Sequence, residues 1–406
     1  MEYELRPIRP EEWDAFVTAD AIAFGWVPSP TDFEDVEKIF EIDRSLATFD
    51  GTEVVSTTGI FSWELTVPGG SLPAAGVTWV SVKPTHRRQG ILNSMMRRQL
   101  SDVHDRGEAL AALWASESVI YGRFGYGLAV EALVVEIDRQ RTTLARAPEA
   151  PGRCRIVTRD EALAAWPAIY DRVRATQPGL YSRSEAWWKH HSMRENERAQ
   201  RGFYSRFFVQ YEENGTPLGY VRYRTRGDQL DGSHNGEVAV NEMMATTKEA
   251  SAALWSYIFG VDLMARISAF NRPVDEPLLW MLADPRRLVR KTYDSMWVRV
   301  VDVPPALEAR RYSAQGKLVI DVRDDFCPWV EGRYELEAGG EGARCRPTNA
   351  DADIVMRAAD LGAAYMGGVR FRSLARAGRV EGDASALARA DAMFSWDPLP
   401  WCPEVF

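Results

Sequence analysis

A chain of 406 residues exceeds what one ordinary hydrophobic core organises and implies two or three domains. Hydrophobic residues make up 46% of it, yet no stretch nears the ~20 uninterrupted apolar residues of a membrane helix. The opening Met1-Glu2-Tyr3-Glu4 is no signal peptide, so a cytoplasmic protein with no membrane partner is expected. A formal net charge of −9 excludes a nucleic-acid partner, which would need a basic face, and suits a cationic substrate. Cys154, Cys327, Cys345 and Cys402 lie far apart without a CxxC spacing, so neither a disulfide framework nor a zinc site is expected.

Residues 3–5 read as a strand and residues 11–24 as an acidic, helix-prone run, and Thr31-Asp32-Phe33-Glu34 has capping-box spacing for a second helix. Residues 47–49, Asp50-Gly51 and residues 54–61 form a hairpin signal, because Asp-Gly supplies the positive φ angles of a tight turn. The chain then reaches Val80-Ser81-Val82-Lys83-Pro84-Thr85-His86-Arg87-Arg88-Gln89-Gly90-Ile91-Leu92, which reads as the end of a strand, a basic turn and the start of a helix. Pro84 stops the ladder for want of an N–H, and Ile91, Leu92, Met95, Met96, Leu100 and Val103 repeat at helical spacing. Gly90 permits close backbone approach, the first-turn amides point out of the helix, and the macrodipole favours an anion there. With Arg87 and Arg88 ahead of it, this is a pyrophosphate cradle, and it is neither a Walker A loop nor a GxGxxG turn.

Residues 109–114 suit a strand buried on both faces. It leads into Ala115-Ser116-Glu117-Ser118-Val119-Ile120-Tyr121-Gly122-Arg123-Phe124-Gly125-Tyr126-Gly127, where a helix starts at Ser116 or Ser118 and Gly125 turns the chain back. Residues 131–137 are expected to close this unit as a strand, and the run 139–152, with two prolines, reads as a linker. A second unit repeats the layout: a strand at 155–157, a helix at 160–175, strands 207–211 and 219–223 around Asn214-Gly215, and a strand 238–244 entering a helix at Lys248. At the place of the cradle, Ala245-Thr246-Thr247-Lys248-Glu249 has no glycine and sets a lysine beside a glutamate, so the phosphate site is absent. The pair His190-His191 is read as packing or solvated rather than metal-binding, since adjacent residues point apart on a helix. Residues 298–303 lead into the last unit through Pro304-Pro305, a boundary signal. Short strands at 318–322, 332–336, 343–346 and 353–356 and helices at 358–366 and 384–394 then make an α+β sandwich. The tail 396–406, with three prolines and three large aromatics, is stiff and should dock.

R-R-Q-G-I after a strand and a proline resembles the acetyl-CoA loop of GNAT acetyltransferases. Together with S-E-x-x-I-Y-G-R-F-G-Y-G, a cradle-less repeat and a terminal aromatic carboxylate, it resembles the Eis (enhanced intracellular survival) N-acetyltransferases of actinobacteria over essentially the full length. The resemblance implies an α/β and α+β chain with a catalytic GNAT domain over 1–145 and a degenerate GNAT-like domain, lacking the CoA cradle, over 146–300. A sterol-carrier-protein-like domain over 301–406 follows, its C-terminal tail entering the active site. It implies acetyl-CoA as co-substrate, no metal, a homohexamer, and acetylation of primary amines of polycationic small molecules such as aminoglycosides. The acetyl-CoA contacts would fall on Val80, Ser81, Val82, Arg88, Gln89, Gly90, Ile91, Leu92, Asn93, Ser116 and Glu117, the proton donor on Tyr121 and the terminal carboxylate on Phe406. Tyr126 is read as packing. One departure stands out: family members can carry an acid just before the terminal aromatic, where this chain has Val405, with Glu404 one residue earlier.

The chemistry itself calls for such groups. An ammonium must lose a proton before it attacks a thioester, the oxyanion needs donors such as the amides near residues 80–82, and the departing thiolate needs a proton that a tyrosine can give. A free α-carboxylate, with a pKa of about 3.5, is a poor base for an amine unless burial or a relaying water helps it. Two further readings stay open: acetylation of protein lysines or polyamines, and a non-catalytic carrier in which the last unit holds an apolar ligand.

Overall fold

The structure, a computed structural model, describes residues 3–29, 32–194, 202–204, 206–227, 235–340 and 342–406. Thr31 of the expected capping box lies outside these residues; the helix that follows is short, Glu34–Glu37. The chain divides into two compact units, Met1–Val130 with Asp294–Pro400 and Val405–Phe406, and Glu131–Tyr293 with Trp401–Glu404.

The first unit contains β1 (Glu4–Arg6), β2 (Leu46–Asp50), β3 (Glu53–Val67), β4 (Gly70–Val82), β5 (Leu110–Trp114) and β6 (Gly127–Leu128). These pair in chain order, except that the strand Met296–Val300 runs antiparallel between β5 and β6. The Asp50-Gly51 hairpin forms as expected, with Asp50 opposite Glu53. Two helices, Trp13–Ala23 and Ile91–Asp105, accompany the sheet; the second buries Ile91, Met95, Met96, Leu100 and Val103 of the stripe read from the sequence, while Leu92 is only half-buried.

A second sheet within this unit joins Gly316–Arg323, Gly332–Gly339, Gly342–Pro347, Ile354–Arg357 and Val380–Gly382, with helices Ala358–Tyr365 and Ala384–Phe394. Helix Ala358–Tyr365 lies so close to the first sheet that a Cβ on Gly127 would sit 1.8 Å from the Ala359 carbonyl oxygen and one on Gly362 2.2 Å from that of Val298. Backbone packs directly on backbone at this crossing.

The other unit is one seven-stranded sheet, built from β7 (Glu131–Asp138), β8 (Arg153–Val157), β9 (Phe207–Glu213), β10 (Thr216–Arg226), β11 (Gly236–Ala245), β12 (Met264–Arg272) and β13 (Val289–Asp294). Asn214 and Gly215 both take positive φ between β9 and β10, the geometry of a tight hairpin turn. Two strands differ from expectation. Residues 131–137, expected to close the first unit, pair with β12 here, and the strand near residue 298, expected to lead into the last unit, completes the first sheet. Alternating burial shows that a strand has a core face but does not say which sheet receives it.

Gly362→Ala tests the backbone crossing with a sign. On helix propensity alone alanine would stabilise by about 1 kcal/mol, whereas overpacking against a carbonyl costs about 1–3 kcal/mol. A lower urea midpoint is the expected result.

Candidate active site

The first sheet opens where β4 and β5 stop pairing. They run parallel only over Ala74, Ala75 and Gly76 opposite Leu110, Ala111 and Ala112. Just beyond, β4 bulges: Thr57 pairs with Ser81 and Gly59 with Thr78, so Trp79 and Val80 together face Thr58. Trp79 has φ +55, a conformation that non-glycine residues rarely adopt. It is held by aromatic packing against Trp13, Phe16, Phe33 and Phe40, with ring centroids 5.4 to 6.1 Å away, and its carbonyl accepts a hydrogen bond from Thr57 Oγ1 at 2.8 Å. Strain of about 1–3 kcal/mol persists only where the surroundings over-determine it. The bulge leaves residues 79–80 out of register with β3.

A cavity of about 530 Å³ fills one side of this opening, lined by Val80, Ser81, Val82, Arg88, Gly90, Ile91, Leu92, Asn93, Ser116, Glu117 and Tyr121 among others. The candidate residues of the strand, the turn and the following helix therefore converge, with one exception. Gln89 is turned away, its Oε1 accepting a 2.6 Å hydrogen bond from the Tyr3 hydroxyl.

The cradle fits a pyrophosphate on its own geometry. Gly90 has φ +82 and caps the helix Ile91–Asp105, Arg88 also takes positive φ, and a Cβ on Gly90 would meet nothing within 4 Å. Alternating left-handed residues ahead of a helix aim successive N–H groups at one concavity. Arg87 is already committed, its Nε 3.2 Å from the Val82 carbonyl oxygen and its Nη2 3.1 Å from that of Ala23. The Arg88 guanidinium is exposed and has no hydrogen bond or ion pair among the described residues.

Tyr121 ends the short helix Ser118–Tyr121. The next turn ends at Gly125, φ +80, over which the Arg299 guanidinium is packed so closely that no Cβ could fit. Arg299 is itself buried and paired with Asp324. Glycine is required at 125 for both conformation and space, and this turn presents Tyr121 to the opening. Burial pushes the Tyr121 hydroxyl up to about 12; a hydrogen bond with Ser116 opposes the rise, and the nearby Asp20 charge adds to it. It remains a protonated donor throughout the neutral range. Tyr126 is fully buried, and its hydroxyl has no hydrogen-bond partner among the described residues.

A second cavity, about 310 Å³, has Tyr121 and Ser116 in its wall together with Asp20, Phe24, Trp79, Trp114 and Phe406. The Phe406 ring stands edge-on to Trp63, centroids 4.4 Å apart. Asp20 gave no signal in the sequence, where Thr-Ala-Asp-Ala-Ile-Ala looks like an ordinary helix. Its carboxyl is 8% exposed. It accepts from Thr57 Oγ1 at 3.3 Å and bonds Ser81, and burial raises it to about 6 against the pull of those two hydroxyls.

Glu404 lies elsewhere. Within the second unit its carboxylate accepts from Ser192 Oγ at 2.9 Å and Trp187 Nε1 at 3.1 Å and lies 3.1 Å from Arg183 Nη2. Burial acts to raise this carboxyl, but the Arg183, His191 and Arg222 charges outweigh it and hold it below the usual carboxylate range. Glu404 is a buried ion-pair anchor and is not the acid of the Tyr121 cavity. No group of three His, Cys, Asp or Glu that could hold a metal occurs among the described residues.

Comparison with known proteins settles the relationship. Residues 4–129 and 179–300 each match an acetyltransferase (GNAT) domain model, and residues 303–403 match a sterol carrier protein domain model. The N-acetyltransferase Eis of Mycobacterium tuberculosis is 37% identical over 86% of this chain and 84% of its own. The chain belongs to the Eis family of GNAT N-acetyltransferases. An uncharacterized N-acetyltransferase of Streptomyces avermitilis is 40% identical over the whole of both chains. The crystal structure of Eis1 from Mycobacterium abscessus superposes with a TM-score of 0.85 at 31% identity, again over both chains entire. A GCN5-related N-acetyltransferase from Anabaena variabilis shares the fold, with a TM-score of 0.87 at 18% identity. The protein is accordingly an N-acetyltransferase enzyme, with two GNAT domains followed by a sterol-carrier-like one.

Arg88→Ala should leave the melting temperature of the ligand-free protein unchanged, because the side chain is exposed and makes no hydrogen bond or ion pair among the described residues. A charge-assisted hydrogen bond is worth about 1.5–3 kcal/mol, so acyl-CoA affinity, measured by calorimetry with acetyl-CoA as the probe, should fall about tenfold or more.

Proposed function

We propose that the enzyme transfers acetyl from acetyl-CoA to primary amines of polycationic small molecules of the aminoglycoside type, at more than one position of the acceptor. One observation carries this reading: Tyr121 lines both cavities, the one that holds the cradle and the one that holds the chain terminus. A donor molecule lying from the cradle along residues 80–82 would bring its thioester to the bulged amides, where an oxyanion would find donors. Tyr121, kept protonated, would give its proton to the departing thiolate. The α-carboxylate of Phe406 would hold the acceptor's charge near the reacting amine. In this reading Val80, Ser81, Val82, Arg88, Gly90, Ile91, Leu92, Asn93, Ser116 and Glu117 receive the donor, and Gln89 contributes through its main chain alone.

The expected division into 1–145, 146–300 and 301–406 shifts at its edges: the catalytic domain takes residues 1–130 and the strand 296–300, the cradle-less GNAT domain takes residues 131–293, and the sterol-carrier-like domain follows from 301. The second domain has no donor site for a physical reason: the helix Lys248–Phe259 is capped by its own Thr247, whose side chain accepts from the Ala250 amide. We further propose a cytoplasmic homo-oligomer, hexameric by likeness to the Eis family. Exposed apolar side chains such as Trp280, 82% exposed, and Val289, 62%, are surface that an assembly would cover.

An acetylation screen with kanamycin, spermidine and a lysine peptide side by side tests the acceptor class. Kanamycin should be turned over with the highest kcat/KM and yield multiply acetylated products by mass spectrometry; exclusive turnover of the peptide would overturn the reading.

Tyr121→Phe should lower kcat by about 10²- to 10⁴-fold with little change in the KM for acetyl-CoA, and Tyr126→Phe should be mild. Deleting Phe406, or extending the chain beyond it, should abolish transfer and spare acetyl-CoA binding. An extended protein with full turnover, its extension verified by mass spectrometry, would remove the terminal carboxylate from the mechanism.

A further inference from the structure

The mechanism above leaves one buried group unused. Asp20, on the helix Trp13–Ala23, is a carboxyl in the wall of the 310 Å³ cavity that also contains Tyr121 and Phe406. Its protein partners are two hydroxyls, Thr57 from β3 and Ser81 from β4. Those hydroxyls also bond each other at 2.7 Å, and Thr57 is shared with the Trp79 carbonyl. Two hydroxyl protons therefore serve three acceptors, so the carboxyl is left under-donated. Among the described residues no Lys, Arg or His pairs with it. Every other carboxylate buried as deeply in this unit has a cation: Glu108 has Arg44, Asp324 has Arg299, Asp360 has Arg379 and Asp391 has Arg372.

A buried carboxyl without a counter-charge is costly and persists where something else supplies the charge. The cavity suits a primary ammonium flanked by Trp79, Trp114 and Phe24, since aromatic walls favour cations. We propose that Asp20 receives the reacting ammonium of the acceptor in this cavity and takes one of its protons. The inference rests on the acetyltransfer reading and adds the base which that reading lacks.

The step balances. An N–H bond of R–NH3⁺ breaks and an O–H bond forms on Asp20, giving R–NH2 and a neutral carboxylic acid. The lone pair then attacks the thioester carbonyl, and the C–S bond breaks as the amide forms. Tyr121 gives its proton to the departing thiolate, which leaves as the thiol, and the second nitrogen proton re-protonates Tyr121. Asp20 returns its proton to solvent after the product departs. Burial places Asp20 near the working pH, where a general base is most effective, well above an exposed α-carboxylate. The other titratable side chain lining the cavity is Tyr121, and the chain ends in its wall at Phe406.

The test compares wild type, Asp20→Asn and Thr57→Val with kanamycin and spermidine from pH 5 to 9. If Asp20 deprotonates a bound ammonium, wild-type kcat/KM for the amine rises through pH ~6 and is flat above it. Asp20→Asn should then lose at least about 10²-fold at pH 7, and its profile should climb steadily toward the amine's own pKa, because only amine already neutral in solution can react. Thr57→Val, which removes a donor to the carboxylate, should move the acid limb upward. Asparagine keeps the shape and the hydroxyl contacts, so its melting temperature should match or exceed wild type. A merely structural Asp20 would instead lower it.

Calorimetry of kanamycin with the donor-free protein separates the two readings. Wild type that binds kanamycin, with binding lost in Asp20→Asn, supports the ammonium site even if no transfer is seen, and the acetyltransfer reading alone then falls. Transfer by Asp20→Asn at the wild-type rate and with the wild-type pH profile overturns the inference and leaves the acetyltransfer reading standing. Absence of both transfer and amine binding in wild type overturns both.

Discussion

The parting of β4 from β5 is the constraint on which the rest of the site depends. A parallel pair this deep in a sheet normally continues until a strand ends, because each unpaired main-chain group costs free energy. Here pairing ends after Gly76 and Ala112 while both strands run on. The bulge at Trp79 turns β4 away, and four aromatic rings hold the strained residue in place. Both cavities lie beside that deviation, with Val80 in the wall of each, and Ser81 just beyond it bonds Thr57 and Asp20. Aromatic packing on the helix side of the sheet thus sustains a polar site.

The two GNAT domains show how little separates a helix start open to an anion from a plain one. Both have a strand entering a helix. In one, Gly90 offers no side chain to cap the first turn, and a Cβ there would meet nothing within 4 Å. In the other, the Thr247 side chain takes up the Ala250 amide and removes the need for any external anion. A side-chain oxygen at the N-cap satisfies the groups that a phosphate would otherwise meet.

The tail divides its labour over three residues. Glu404 is buried in the second unit among Arg183, Trp187 and Ser192, and Arg183 is shared with Glu242 at 2.7 Å. Such an anchor is unforgiving, because removing one member leaves an uncompensated charge. Val405 is half exposed, and Phe406 belongs to the first unit, edge-on to Trp63. Glu404, the acid nearest the terminus, is therefore an anchor of the chain in the second unit.

Much of this was written locally in the sequence. The cradle, the Tyr121 helix and its Gly125 turn, the Asp50-Gly51 and Asn214-Gly215 hairpins and the stripe from Ile91 to Val103 depend on residues within one or two turns of each other. Backbone sterics, hydrogen-bond supply and helical period are short-range, and so they are readable. What only the tertiary structure decided is long-range. Residues 131–138 join the second sheet and residues 296–300 the first, a choice that a pattern of period two does not encode. Asp20 sits in an unremarkable helical run and becomes chemical only because Thr57, Ser81 and the cavity wall remove its water, and Glu404 becomes an anchor only because Arg183, more than 200 residues earlier, meets it. Charge is a property of the residue, but its free energy belongs to the dielectric and the partners around it, and those are assembled only by the fold.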